Sequence, residues 1–175
     1  MRIAVYCSSS DLVADAYRQT ARELGRLIAR KGHSLIYGGN RCGLMGDVSS
    51  ACAEAGGRVT GVNLERWKDS GLPNSDNSET HYFTTLSDRK NFMAREADLF
   101  IALPGGLGTL DEAADIMARH QIGELQGVVI FLNQNGYYDG LKAQMERFLS
   151  ENCMTEQSVG AYRFSNSLSD LATLL

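Results

Sequence analysis

Asp98-Leu99-Phe100-Ile101-Ala102-Leu103-Pro104-Gly105-Gly106-Leu107-Gly108-Thr109-Leu110-Asp111-Glu112 is the stretch that decides how the rest of the chain is read. Its first part, residues 98–103, is a short apolar run of strand length, the pattern of a strand buried on both faces. Beyond the glycines, Leu110, Ala113, Ala114, Ile116 and Met117 fall on one side of a helical period. A glycine turn between a strand and a helix lets backbone N–H groups come close to an anion at the helix N-terminus. Glu112, one turn inside that helix, then faces whatever the turn holds. The arrangement suits a phosphorylated small molecule.

Working outward, the same alternation repeats. Residues 3–7, 34–37, 58–62 and 128–132 are further short, β-prone apolar runs. Between them lie helical patterns: one over about residues 12–31, stopped by Gly32, and one over about 44–55, closed by Gly56-Gly57. Others begin near Ser87, at Thr109 and near Tyr137. Strands alternating with helices predict an α/β fold, a doubly wound, mostly parallel, Rossmann-like sheet flanked by helices, with residues 1–175 as a single domain. In such sheets ligands bind at the carboxyl ends of the strands, near the switch point. The glycine turns at 38–46 and 105–108 both follow strands and so share that rim. Residues 64–80 are polar, contain Pro73 and Asn74-Ser75-Asp76-Asn77-Ser78, and read as a long exposed loop of the kind that often serves as a lid or binding loop.

Composition narrows the function classes. With 43% apolar and 22% charged residues the chain is ordinary globular protein. Its net charge of −4 and scattered basic residues argue against a nucleic-acid-coating surface. No apolar run approaches the roughly 20 residues of a membrane span, and the first residues lack signal-peptide architecture. Cys7, Cys42, Cys52 and Cys153 form no Cys-x-x-Cys pair and read as reduced thiols of a cytoplasmic protein. His33, His81 and His120 share no metal-ligand spacing, and no Gly-x-Ser-x-Gly elbow is present.

The motifs carry two readings each. Thr109 and Glu112 have the spacing of a capping box, in which Glu112 reaches back to the helix start; the same position also lies beside the anion site. Arg89 and Lys90, behind a capping Ser87, oppose the helix dipole at about 0.3–1 kcal/mol each. They are either an exposed pair balanced by Asp88 and Glu96 or ligands of a phosphate. The turn with Gly38, Gly39 and Gly43 lacks the ending of a P-loop and the spacing of a dinucleotide fingerprint; it is a tight turn or a phosphate or sugar contact. Ser8, at the end of the first strand, adds a hydroxyl to the rim or caps the next helix.

Taken together, Arg89-Lys90, Met93, Pro104-Gly105-Gly106-x-Gly108-Thr109 and Glu112 resemble the pattern of the LOG family, the cytokinin riboside 5′-monophosphate phosphoribohydrolases long mislabelled as lysine decarboxylases. The Cys-Ser-Ser after the first strand, Gly43-Leu44-Met45-Gly46 and Gly136-Tyr137-Tyr138 also fit. The resemblance implies hydrolysis of the N-glycosidic bond of a nucleoside 5′-monophosphate, giving free base and ribose 5-phosphate, with no cofactor and in a homodimer. It implies Arg89 and Glu112 as the catalytic pair. Gly105, Gly106, Gly108 and Thr109 would hold the 5′-phosphate, and Ser8, Gly39, Lys90 and Met93 would complete the substrate contacts. Nothing in the chain looks like a pyridoxal-phosphate lysine site.

The chain departs from the family pattern at Asn40, where a glycine is usual, and at residues 118–123, where a threonine and a tryptophan are replaced and Arg119 and His120 are added. Residues 64–80 also differ. These changes bear on the base: AMP or a pyrimidine nucleotide such as CMP is an alternative to a prenylated adenine nucleotide. A regulatory module that binds a nucleotide without turning it over is the non-enzymatic alternative.

Overall fold

The computed structural model describes the backbone of residues 1–175 and the side chains of all but residues 156 and 157. Strands β1 (Arg2–Tyr6), β2 (Ser34–Tyr37), β3 (Val59–Leu64), β4 (Glu79–Phe83), β5 (Leu99–Ala102), β6 (Val129–Leu132) and β7 (Tyr162–Ser165) form one sheet in the order β4-β3-β2-β1-β5-β6-β7. Every pairing is parallel. Helices α1 (Asp15–Arg30), α2 (Gly43–Glu54), α3 (Leu86–Glu96), α4 (Leu107–Gln121), α5 (Asp139–Ser150) and α6 (Leu168–Ala172) cover its faces.

The near-continuous apolar strands follow from burial on both sides. Ile3, Val5 and Cys7 pack with Leu24 and Ile28 of α1, Leu44 and Val48 of α2, and Leu171 of α6. Their neighbours Ala4 and Tyr6 pack on the opposite face with Met93 and Ala94 of α3 and Ala113 and Ile116 of α4. Strand residues alternate between the two faces, so a strand with a core on each side is apolar throughout. The chain winds from β1 out to β4 and returns to place β5 against the other edge of β1. The switch point therefore lies between β1 and β5, where the Ser8 N–H donates to the Pro104 carbonyl at 3.1 Å.

Several boundaries differ from the sequence reading. β4 and β7 are the two outer strands. Each buries only part of its side chains, and Glu79-Thr80-His81-Tyr82-Phe83 and Tyr162-Arg163-Phe164-Ser165 show no continuous apolar run. Helix α3 begins at Leu86, not at a capping Ser87; Thr85 is the cap, its hydroxyl accepting from the Asp88 N–H at 3.1 Å. Helix α4 begins at Leu107 behind Gly106, two residues ahead of Thr109, so Thr109 is not its cap and the capping box does not form. Helix α5 starts at Asp139, after a 3-10 turn at Gln134–Gly136.

Residues 64–80 are also not one exposed loop. Leu64 ends β3, Glu79 and Thr80 belong to β4, and Glu65–Trp67 forms a 3-10 turn. The middle is tied to the glycine turn after β2. The Arg41 N–H donates to the Leu72 carbonyl and the Asn74 N–H to the Gly39 carbonyl, both at 2.9 Å, and Asn40 forms an antiparallel bridge with Pro73. Asn74 is buried, and its amide donates to Ser49 Oγ at 3.0 Å. No described helix is long and apolar enough to cross a membrane.

Candidate active site

At the carboxyl rim of β1, β2 and β5 the turns enclose a cleft of about 360 Å³, within the range of small-molecule sites. Helix α4 supplies its upper wall. The first N–H groups of any helix have no partner within it, and here Gly106, Gly108 and Thr109 at that end line the cleft. Ser8, Ser9 and Ser10 face them from the end of β1. This is an anion-binding geometry, N–H groups and the positive end of the helix dipole beside hydroxyls.

Gly105 is required by close packing. A Cβ there would lie 2.0 Å from Thr109 Oγ1, because Thr109 folds its side chain back over the turn. At Gly106 and Gly108 a Cβ would meet nothing within 4 Å; those two open onto the cleft. The turn is clamped from behind, with Tyr137 donating to the Gly105 carbonyl at 2.9 Å and Tyr138 to the Leu103 carbonyl at 2.7 Å.

The floor is an ion pair. Arg89 Nη1 donates to Glu112 Oε1 at 2.6 Å, and the two side chains are 6% and 8% exposed. Arg89 Nε donates to the Val62 carbonyl at 2.8 Å, so one guanidinium joins β3, α3 and α4. Gly38 gives it room, since a Cβ there would stand 2.8 Å from Arg89 Nη2. Arg89 is thus neither an exposed cation nor balanced by Asp88 and Glu96: Asp88 bonds Thr85 and Glu96 bonds Arg2. Burial pushes the Glu112 carboxyl up from the usual range, and the adjacent Arg89 pulls it back only in part. Burial, reinforced by Glu112, raises the Cys7 thiol well above its ordinary value, so Cys7 offers the cleft no thiolate at neutral pH.

The remaining expected residues divide. Lys90 donates to Asp111 Oδ1 at 2.8 Å and lies 3.8 Å from Asp115; Asp111 lines the cleft and Lys90 stands behind it. Met93 is wholly buried in the core beside Tyr6 and Phe100 and does not line the cleft. Gly39, with φ +84°, packs its backbone against Asn63 and leaves the cleft wall to Gly38 and Asn40. His120 bonds the Gly127 carbonyl at the far end of α4. Two cleft residues, Trp67 and Leu86, escaped the sequence reading, and Met45 entered it only as part of the turn at residues 43–46. The available signal was a single tryptophan in a polar segment. Among the described residues no group of three His, Cys, Asp or Glu side chains is placed to hold a metal ion.

A doubly wound parallel sheet with a glycine-rich helix start over a buried arginine–glutamate pair places this molecule among the Rossmann-like proteins with a switch-point site. Comparison with known proteins narrows that class. Residues 45–175 match the family described as possible lysine decarboxylase. A probable cytokinin riboside 5′-monophosphate phosphoribohydrolase of Oryza sativa is 39% identical over 86% of this chain and 66% of its own length. Cytokinin riboside 5′-monophosphate phosphoribohydrolases of Arabidopsis thaliana are 36% identical over 86% of this chain and 66% of their counterpart, and 38% identical over 86% and 73%. The chain belongs to this family, the LOG family. It spans about two thirds of the length of several of these relatives.

Solved structures share the fold at lower identity. The molybdenum cofactor binding protein of Rippkaea orientalis aligns with a TM-score of 0.75 at 23% identity, over 99% of this chain and 93% of that one. The Moco carrier protein of Chlamydomonas reinhardtii aligns at 0.76 and 20%, over 99% and 93%.

Proposed function

We propose that the protein hydrolyses the N-glycosidic bond of a nucleoside 5′-monophosphate, cytokinin riboside 5′-monophosphate or AMP, releasing free base and ribose 5-phosphate. The observation that carries the reading is the Arg89–Glu112 pair, buried at the floor of a cleft whose rim is the open N-terminus of α4. The curated relatives bear the name of this activity.

The 5′-phosphate sits against the N–H groups of Gly106, Gly108 and Thr109, with Ser8 opposite. That places the ribose over Glu112. As the C1′–N bond breaks, its electron pair leaves with the base, which takes up a proton. The sugar becomes oxocarbenium-like and the Glu112 carboxylate stabilises it. A water then bonds to C1′ and loses a proton. Arg89 favours the charged form of Glu112 against the opposing effect of burial and fixes its orientation, through one bond to the carboxylate and one to Val62. Lys90 acts indirectly by fixing Asp111 on the wall.

We further propose that residues 1–175 work as one nucleotide-binding domain, in a homodimer and in the cytoplasm. An apolar groove between α4 and α5, lined by Leu110, Met117, Phe148 and Met154, supports the dimer. Four free thiols suit a reducing compartment. Base release from AMP, N6-isopentenyl-AMP and CMP by wild-type protein and Glu112→Gln tests the activity. Release by wild type and its loss in a folded variant supports the assignment; release by neither on any of the nucleotides overturns it.

A further inference from the structure

Trp67 closes the 3-10 turn that follows β3, and its side chain lines the cleft with Met45 and Leu86. These three form the apolar side of a cleft whose remaining lining is mostly polar or charged side chains and glycine backbone. Leu86 is 49% exposed there, although an apolar residue at a helix start gains nothing from facing water. Trp67 is only half-buried in a segment that is otherwise charged and exposed.

The segment does not wave over the site. The bonds from Arg41 to Leu72 and from Asn74 to Gly39, with the Asn40–Pro73 bridge, staple its far end to the glycine turn after β2. Asn63, wholly buried just before Leu64, donates to Asn40 Oδ1 at 2.9 Å. The indole is therefore part of a fixed wall. The Arg66 guanidinium carbon lies 4.8 Å from the ring centroid, so the indole stacks against a planar cation on one face while the residue lines the cleft.

We propose that Trp67 is the base-recognition residue: the base of the nucleotide stacks on its indole while Met45 and Leu86 complete an apolar subsite. This rests on the nucleotide reading of the cleft. The cleft then has the order of the molecule it takes, with α4 for the phosphate, Arg89–Glu112 for the ribose and Trp67 for the base. Stacking accepts any π-face, with more contact for a purine than for a pyrimidine. The subsite therefore favours adenine nucleotides and makes no demand for a prenyl group.

The chain's single tryptophan makes the test direct. AMP, CMP, N6-isopentenyl-AMP and ribose 5-phosphate are titrated into Glu112→Gln protein, with binding read by calorimetry and Trp67 emission followed in parallel. Nucleotide binding that quenches the emission, with ribose 5-phosphate binding that leaves it unchanged, supports the proposal. Nucleotide binding without a change in emission overturns it and leaves the nucleotide reading standing. Failure of wild type and variant to bind or cleave any nucleotide brings down that reading, and this inference with it. Kinetics provide an independent measure should Glu112→Gln not fold. Trp67→Ala raises KM for AMP about tenfold or more with little change in kcat, and Trp67→Phe recovers most of the loss. Affinity for ribose 5-phosphate, read as product inhibition, stays the same in both. An unchanged KM in Trp67→Ala, or a loss that phenylalanine does not recover, overturns the proposal.

Discussion

Arg89 and Glu112 are 23 residues apart in sequence, on α3 and α4, and meet through a 2.6 Å hydrogen bond in the closed floor of the cleft. Removing one member of such a pair leaves the other buried and unpaired, which costs about 3–5 kcal/mol. Arg89→Ala therefore lowers unfolding free energy by about that much at neutral pH and reduces base release by about a hundredfold or more. Arg89→Lys keeps the charge but not the fork that bonds Val62 and Glu112 together. It recovers part of the stability and little of the activity. Urea unfolding and product assays on the two variants check both statements, and full activity in Arg89→Lys contradicts the second.

Glu112 sets a pH limb. Burial holds its carboxyl above the ordinary value near 4.3, and in the proposed reaction the carboxylate is the form that stabilises the sugar cation. The acid limb of kcat/KM for base release by wild type accordingly lies above the ordinary glutamate range, and a limb within that range contradicts the assignment. Stability moves the other way. A carboxyl whose folded pKa is raised stabilises the fold fully below its unfolded pKa and loses that contribution as pH rises through the folded value. Wild type therefore loses stability relative to Glu112→Gln across that window, measurable as diverging urea midpoints.

The glycines of the α4 turn separate folding from binding. Gly105→Ala drives a methyl into Thr109 and destabilises by about 1–3 kcal/mol. Gly108→Ala meets open space inside the first turn of a helix, where alanine is the better residue by up to about 1 kcal/mol. It raises the melting temperature yet weakens phosphate binding, because the added methyl projects into the space proposed for the 5′-phosphate. Thermal unfolding alongside KM for AMP distinguishes the two; equal loss of stability in both contradicts the packing.

Asn40 links the glycine turn after β2 to the segment that follows β3. Its Oδ1 accepts from the buried amide of Asn63 while its backbone bridges Pro73. Asn40→Ala leaves that amide unsatisfied at a cost of about 1–3 kcal/mol. Amide exchange then accelerates in residues 64–78 and stays unchanged in β1 and β5.

Much of this molecule follows from local pattern. The strands at 34–37 and 129–132 were legible because burial on both faces makes a strand apolar throughout, and Gly32 and Gly56 mark helix ends through their left-handed backbone. The parallel sheet follows from strand–helix alternation, and the Arg-Lys and Pro-Gly-Gly motifs single out the site. Tertiary structure alone decided the rest, because those features depend on partners distant in sequence. β4 and β7 are strands by pairing at an edge, which imposes no apolar run. Glu112 had a capping partner available at Thr109 by spacing, yet Gly106 starts the helix and the carboxylate turns instead to a buried guanidinium from another helix. Residues 64–80 look free until the Asn40, Asn63 and Asn74 bonds staple them down and set Trp67 in the cleft. Periodicity and turn chemistry are local and can be read along a chain; the choice of a buried charge's partner is made only when the fold excludes water and leaves one partner within reach.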